Sequence, residues 1–225
     1  MRELITTLTT NFVTTIYNYI ILNAYTILSN VLLVLLLLFI PLAPNTLLLY
    51  IVPVFLFLVS MATYFNVISY MREHDCGVCS IRKYFSIFLM NLSSNWKVFL
   101  IYLIGIAVIT IDALIVYAGN GITYFIIPLI ITMGFILGSM FFVFLILSDP
   151  QSKSMKPLKL IQSAIILSYK LPFITFINFI LTILSLVSIL YMPLIYIAFG
   201  AGLINYIIIR NIGRKFSVSL YFEQI

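Results

Sequence analysis

Residues 71–97 read MREHDCGVCSIRKYFSIFLMNLSSNWK. This stretch holds four of the twelve basic residues, the single histidine and both cysteines. Residues 46–70 before it and 98–118 after it are apolar runs with no basic residue. A hydrocarbon layer about 30 Å thick needs about 20 helical residues to cross it. The stretch is therefore a polar interval between two expected membrane spans, and the pattern recurs along the chain.

The chain has 225 residues, 64% hydrophobic and 8% charged, whereas soluble domains carry about 25% charged residues. A core of this size cannot hide so many apolar side chains from water. An ordinary soluble domain is excluded, and lipid is the expected solvent for much of the surface. The spacing predicts an all-α, polytopic membrane protein forming one membrane domain over 1–225. Its six spans run at about 19–40, 46–70, 98–118, 123–147, 173–191 and 194–209. Pro41 and Pro44 close the first, Pro53 offers a kink in the second, and Gly119-Asn120-Gly121 turns the third into the fourth. The run 173–209 is too long for one crossing and is expected to break at Met192-Pro193. Met1-Arg2-Glu3 begins no cleavable leader, so the first apolar segment is expected to stay in the mature chain.

The cations set the orientation. Arg2 precedes the first span. Arg72, Arg82, Lys83 and Lys97 lie between the second and third, and Lys153, Lys156, Lys159 and Lys170 between the fourth and fifth. Arg210, Arg214 and Lys215 follow the sixth, and the alternate loops carry no charge. The excess of positive charge on one side places both termini in the cytoplasm of a multi-pass cell-membrane protein. In such a chain a net charge of +6 is an orientation signal before it is a sign of nucleic acid, and no nucleic-acid partner is expected.

Three segments, about 4–18, 82–97 and 155–170, carry apolar stripes at helical spacing and are expected to lie in the membrane plane on the cytoplasmic side. Phe85, Phe88, Leu92 and Trp96 match Leu158, Ile161, Ile165 and Tyr169 at a constant offset of 73, which also maps Lys83 to Lys156 and Lys97 to Lys170. Three parallel units follow, each an in-plane helix, an outgoing span and a returning span. The plainer alternative is that basic amphipathic helices precede spans simply to anchor them.

Several residues of the first half carry a family resemblance. Asn30 opens a Leu-rich run ending at Ile40-Pro41, and the segment Tyr64 to Tyr70 leads into Arg72-Glu73-His74-Asp75. Arg82-Lys83-Tyr84-Phe85-Ser86-Ile87-Phe88, Asn91 and Trp96-Lys97 follow. Together they resemble the YesL-like family of small membrane proteins of Gram-positive bacteria. Two features depart from that pattern: Ala43-Pro44-Asn45-Thr46 replaces a Gly-Pro, and Cys76-Gly77-Val78-Cys79 is additional. The resemblance implies an integral membrane protein linked with carbohydrate uptake and brings no catalytic residues.

Asp112 is the one acidic residue well inside an expected span, fifteen residues after Lys97 and so about 22 Å along the helix. A carboxylate at that depth must be protonated, paired or wetted. It is either a proton or cation site or a polar-cavity contact, or else a neutral acid between helices or a carboxylate near the outer surface. Cys76, Cys79 and His74 offer three soft ligands where a structural zinc takes four, and two reduced thiols in a loop is the simpler reading. Gly134, Gly138 and Ser139, and likewise Ala198, Gly200 and Gly202, form small faces for close helix packing. No nucleotide, dinucleotide or zinc-protease motif occurs, so neither an enzyme nor a cofactor is expected.

The leading expectation is an accessory or transport subunit of a bacterial solute importer, with permease or ATPase subunits as partners. Lys83, Lys97, Lys156 and Lys170 are its candidate docking residues. A stand-alone transporter or channel using Asp112, and a scaffold whose basic face binds anionic lipid head groups, are the alternatives. Reporter fusions test the topology: a fusion after Asn120 should read as external and one at the C-terminus as cytoplasmic. An external C-terminus would overturn the six-span arrangement.

Overall fold

The computed structural model describes residues 17–40, 45–74, 79–118, 126–149, 151–152, 155–192, 196 and 200–213. Every regular element among the described residues is helical. In chain order they are α1 (Tyr17–Ser29), α2 (Val31–Phe39), α3 (Leu47–Glu73), α4 (Ile81–Ala118), α5 (Ile126–Leu147), α6 (Pro157–Lys170), α7 (Pro172–Tyr191) and α8 (Ala201–Gly213). α3, α4 and α5 are each long and apolar enough to cross a membrane. The bent pairs α1–α2 and α6–α7 raise the number to five if each pair is one crossing. Of the sixth expected span, 194–209, α8 covers the second half and the first half is largely outside the described residues. So are most of the segment 4–18, Pro41, Pro44, Gly119-Asn120-Gly121, Pro193 and the tail from Arg214.

The first expected span, 19–40, is not one straight helix. α1 and α2 meet at Asn30 with a 72° bend, and Asn30 takes the non-helical angles φ −117 and ψ 22. Local side chains explain the break. Thr26 Oγ1 donates to the Leu22 carbonyl at 2.9 Å, Ser29 Oγ to the Thr26 carbonyl at 2.9 Å, and Asn30 Nδ2 to the same carbonyl at 2.8 Å. Short polar side chains that bond the preceding turn compete with helix continuation. Tyr50 of α3 closes the far end of α2, its hydroxyl donating to the carbonyls of Leu36 at 3.2 Å and Ile40 at 2.6 Å. At Pro53, by contrast, α3 runs on as one helix.

The two basic amphipathic segments fold differently. Residues 82–97 do not form a separate in-plane helix: they are the first half of α4, which continues without a break to Ala118. Its 38 residues extend about 57 Å. Residues 157–170 do end at a corner, where α6 and α7 meet at 102°. At the 73-residue offset Pro172 corresponds to Phe99. Proline lacks the N–H that would bond the Ser168 carbonyl, but it suits the first position of a new helix. Thr175 takes over that carbonyl, its Oγ1 donating to Ser168 O at 2.9 Å, with the Leu171 carbonyl at 3.1 Å. Phe99 keeps its N–H, so the corner has no cause in α4.

The expected stripes are also not the seated faces. Phe88 and Ile161 are buried, but Trp96, Leu158, Ile165 and Tyr169 are exposed, Leu158 by 73%. The faces packed on the protein lie one position aside: Tyr84, Ile87, Phe88 and Asn91 in α4, and Leu160, Ile161, Ala164 and Ser168 in α6. Both helices are therefore apolar on two sides, one turned to the fold and one outward.

The core forms where α3, α5 and α8 meet. Residues 58–68 of α3 and 137–144 of α5 are buried all round. Phe65 lies 6.3 Å from Phe141 and 5.7 Å from Phe144, ring centre to ring centre. The Tyr64 hydroxyl donates to the Gly202 carbonyl of α8 at 3.3 Å, and Asn205 Nδ2 reaches Met61 Sδ at 3.6 Å. Around this centre α4 packs on α3, α6 on α5, and α1 on α8 through Tyr19 and Tyr206, whose rings are 4.7 Å apart. The core lies toward the end that carries Lys83, Lys156 and Arg210. At the other end Leu48 and Val52 of α3, Ile104 and Ile115 of α4 and Ile127 of α5 are exposed.

Gly134, Gly138 and Gly202 of the small faces pack within the chain, and Ala198 lies outside the described residues. Gly202 sits on α1, where an added Cβ would meet Asn23 Cβ at 3.4 Å. Gly134 faces the Phe179 ring, and Gly138 faces Thr175, whose Cγ2 occupies the space a side chain would need. Gly138 thus seats the α6–α7 corner against α5. Gly138→Ala and Thr175→Val should each destabilise the fold by about 1–3 kcal/mol, through overlap and through an orphaned carbonyl. Gly105→Ala, where a Cβ would meet nothing within 4 Å, should be neutral or stabilise by up to about 1 kcal/mol. Thermal unfolding in detergent measures all three, and equal Tm values would remove the assigned role of Gly138.

Candidate functional site

One group of buried polar residues lies along the contact between α3 and α4. Ser60, Thr63 and Asn66 are three residues apart and share one face of α3. Tyr84, Asn91 and Asn95 lie on the facing side of α4. Near the α1–α2 bend, Ser29 Oγ and Ser60 Oγ are 2.8 Å apart, and the Tyr84 hydroxyl lies 3.0 Å from Ser60 and 3.2 Å from Ser29. Further along, Asn91 links three neighbours. Its Oδ1 accepts from Asn66 Nδ2 at 3.1 Å and Asn95 Nδ2 at 3.2 Å, while its Nδ2 donates to Thr63 Oγ1 at 3.1 Å. Tyr84 and Asn91 are wholly buried.

Similar pairs join other helices. The Tyr102 hydroxyl and Ser139 Oγ lie 3.1 Å apart between α4 and α5. Asn211 Nδ2 donates to Asn178 Oδ1 at 2.9 Å between α8 and α7. All these groups are neutral amides and hydroxyls. They fix which helix faces meet, because an unpaired amide in apolar surroundings is costly. They contain no carboxylate, imidazole or amine. The sequence carried a signal for them: Asn and Thr at spacings of three, four and seven inside apolar runs.

Asp112 is elsewhere. It lies in the far half of α4, exposed on the outside of the bundle, among the exposed residues Val108, Ile111 and Ile115. No side chain among the described residues pairs with it. Six uncharged residues, Ala113 to Ala118, continue α4 beyond it, which adds about 9 Å of apolar helix. Of the three long apolar helices, α4 is the least covered by the rest of the chain. The carboxylate therefore faces away from the interior polar seam and does not join it.

The four candidate docking lysines are all exposed. Lys83 Nζ lies 4.6 Å from the centre of the Tyr70 ring, and Lys97 Nζ lies 5.6 Å from that of Trp96. Both are held by aromatic faces. Lys156 precedes the first turn of α6 and Lys170 ends its last, where a cation complements the helix dipole. The pairs map onto each other by offset, but Lys97 lies mid-helix and Lys170 at a corner.

The cysteine–histidine group is only partly described. Cys76 and Asp75 lie outside the described residues. Cys79 is buried in the core, while His74 is exposed at the end of α3, stacked on Tyr70 at 4.2 Å. Among the described residues no three His, Cys, Asp or Glu side chains gather closely enough to hold a metal.

Compared with known proteins, the chain matches no family model, no curated protein and no solved structure.

The amide ladder has an energetic test. Asn91→Leu should destabilise by about 1–3 kcal/mol, because it strands Asn66, Asn95 and Thr63 together. Asn66→Leu in the same chain should recover part of that loss, giving a coupling of about 0.6–2 kcal/mol. Strictly additive losses in this double-mutant cycle would show that the ladder is not a unit.

Proposed function

We propose that the chain is an accessory membrane subunit of a bacterial solute importer, anchored by six spans with both termini in the cytoplasm. The YesL-like resemblance points to carbohydrate uptake as the system it serves. Asp112 is the observation that supports a subunit most. A carboxylate within an apolar helix is costly unless paired. It faces outward from the least covered long helix, and every cation of the chain belongs to a cytoplasmic interval in this topology. A basic or hydrogen-bonding residue on a permease helix is the partner that satisfies it.

The basic ends of α4 and α6 supply the cytoplasmic half of the same interface. In this reading they are two copies of one unit, supported by burial at equivalent positions: Ile87 with Leu160, Phe88 with Ile161, Asn91 with Ala164. Lys83, Lys97, Lys156 and Lys170 then present cations to the acidic surface of a permease or ATPase subunit.

Co-isolation from native membranes tests the proposal. Permease subunits should accompany the wild-type chain, and Asp112→Asn should lower their yield about tenfold, equivalent to about 1.4 kcal/mol, at unchanged abundance of the chain itself. Equal yields with both chains would remove the role of Asp112. Solute flux by the purified chain alone in liposomes would replace the proposal with a stand-alone transporter.

A further inference from the structure

Between α5 and α7 lies a cavity of about 300 Å³. Ile131, Gly134 and Phe135 wall it on one side, and Pro172, Phe176 and Phe179 on the other. Thr175 also borders it, but its hydroxyl is already engaged with the Ser168 and Leu171 carbonyls. The lining thus has nothing for a polar ligand. Gly134 leaves the space open by contributing no side chain. Ile131 and Phe176 are 54% and 60% exposed, so the cavity opens on the outside of the bundle, where lipid lies.

A cation adjoins one end of the cavity along the chain. Tyr169 stacks on Phe135 at 4.2 Å, which brings the last turn of α6 onto the cavity wall. The next residue, Lys170, is exposed and ends that turn, two residues before Pro172. No carboxylate among the described residues pairs with it. From there the cavity runs along α7 from Pro172 to Phe179, a length of about 10 Å. A cation two residues from the Pro172 end of an apolar slot matches an amphiphile with an anionic head and a hydrocarbon chain. An ammonium at an interface keeps its charge at head-group level while its stem lies on apolar surface, and each such cation favours anionic lipid by about 1 kcal/mol.

We infer that this cavity is a binding site for one anionic phospholipid, with an acyl chain between α5 and α7 and the phosphate on Lys170. The site lies on the α6–α7 corner that Gly138 and Thr175 hold, so an occupied cavity braces that corner from outside. It is a site of the isolated chain, and where it is occupied the docking role rests on Lys83, Lys97 and Lys156 without Lys170.

Native mass spectrometry of the purified chain, titrated with phosphatidylglycerol or phosphatidylcholine, tests the site. The wild-type chain should retain one phosphatidylglycerol in preference to phosphatidylcholine. Lys170→Glu should lower phosphatidylglycerol retention at least about fivefold and leave phosphatidylcholine unchanged. Ile131→Trp, which fills the cavity from an exposed position, should lower retention of both lipids, and Ile130→Trp serves if that variant fails to fold. Unchanged phosphatidylglycerol retention in Lys170→Glu would overturn the head-group assignment. Unchanged retention of both lipids in the tryptophan variant would overturn the cavity as the site and leave annular lipid only.

Discussion

A polar side chain in an apolar interior must find its partner inside the fold, and this constraint organises the molecule. The apolar surfaces of these helices have no preferred mate, because a lipid tail satisfies them as well as another Leu does. Ser60, Thr63 and Asn66 on α3 have no such freedom. They meet Tyr84 and Asn91 on α4, and that meeting sets the rotation of both helices. Tyr102 with Ser139 then fixes α5 on α4, and Tyr64 with the Gly202 carbonyl fixes α8 on α3. Hydrophobic packing fills the space between these contacts, with Phe65, Phe141 and Phe144 at its centre.

Where a backbone group loses its helical partner, the same rule decides what the chain does next. At Pro172 the loss is covalent, and Thr175 supplies the missing donor to Ser168. At Asn30 the backbone N–H is shared between the Thr26 and Ile27 carbonyls, the Ser29 and Asn30 side chains add to Thr26, and the helix turns. Both bends sit where a helix leaves the buried core and enters the exposed part of the molecule. Each is therefore braced on one side only, by Ser60 and Tyr84 at the first and by Gly138 at the second.

Much of this was legible in the sequence, and the exceptions have physical causes. Apolar run length located α3, α5 and α7, because a long run without charges or breaks leaves helix as the structure that satisfies its backbone. The Gly134–Gly138–Ser139 face was legible as a packing surface, because small residues in an apolar helix have few other uses. The junction expected at Lys97 was not real: charge and a repeated stripe stood in for a break that here takes a proline, as at Pro172, or side-chain bonds to the preceding turn, as at Asn30. The stripe itself misled because α4 and α6 are apolar on two faces, and periodicity does not say which one meets protein. The bend at Asn30 is set by three side-chain bonds to carbonyls, which hydropathy does not register. Asp112 was visible as an anomaly, but its outward direction depends on the rotation that the α3–α4 seam imposes.

The unbroken course of α4 ties its two ends to one orientation. A helix about 57 Å long is nearly twice as long as the hydrocarbon layer is thick, about 30 Å. Its first half is clamped on α3 by Asn91 and Tyr84, while its far half, bearing Asp112, is mostly exposed beyond the Tyr102–Ser139 contact. A tilt of about 10° about the midpoint would move each end by about 5 Å in opposite senses, given that length. Such a tilt would have to break the Asn91 and Tyr84 contacts, so the clamp that sets the direction of Asp112 also holds Lys83 at the other end of the same helix.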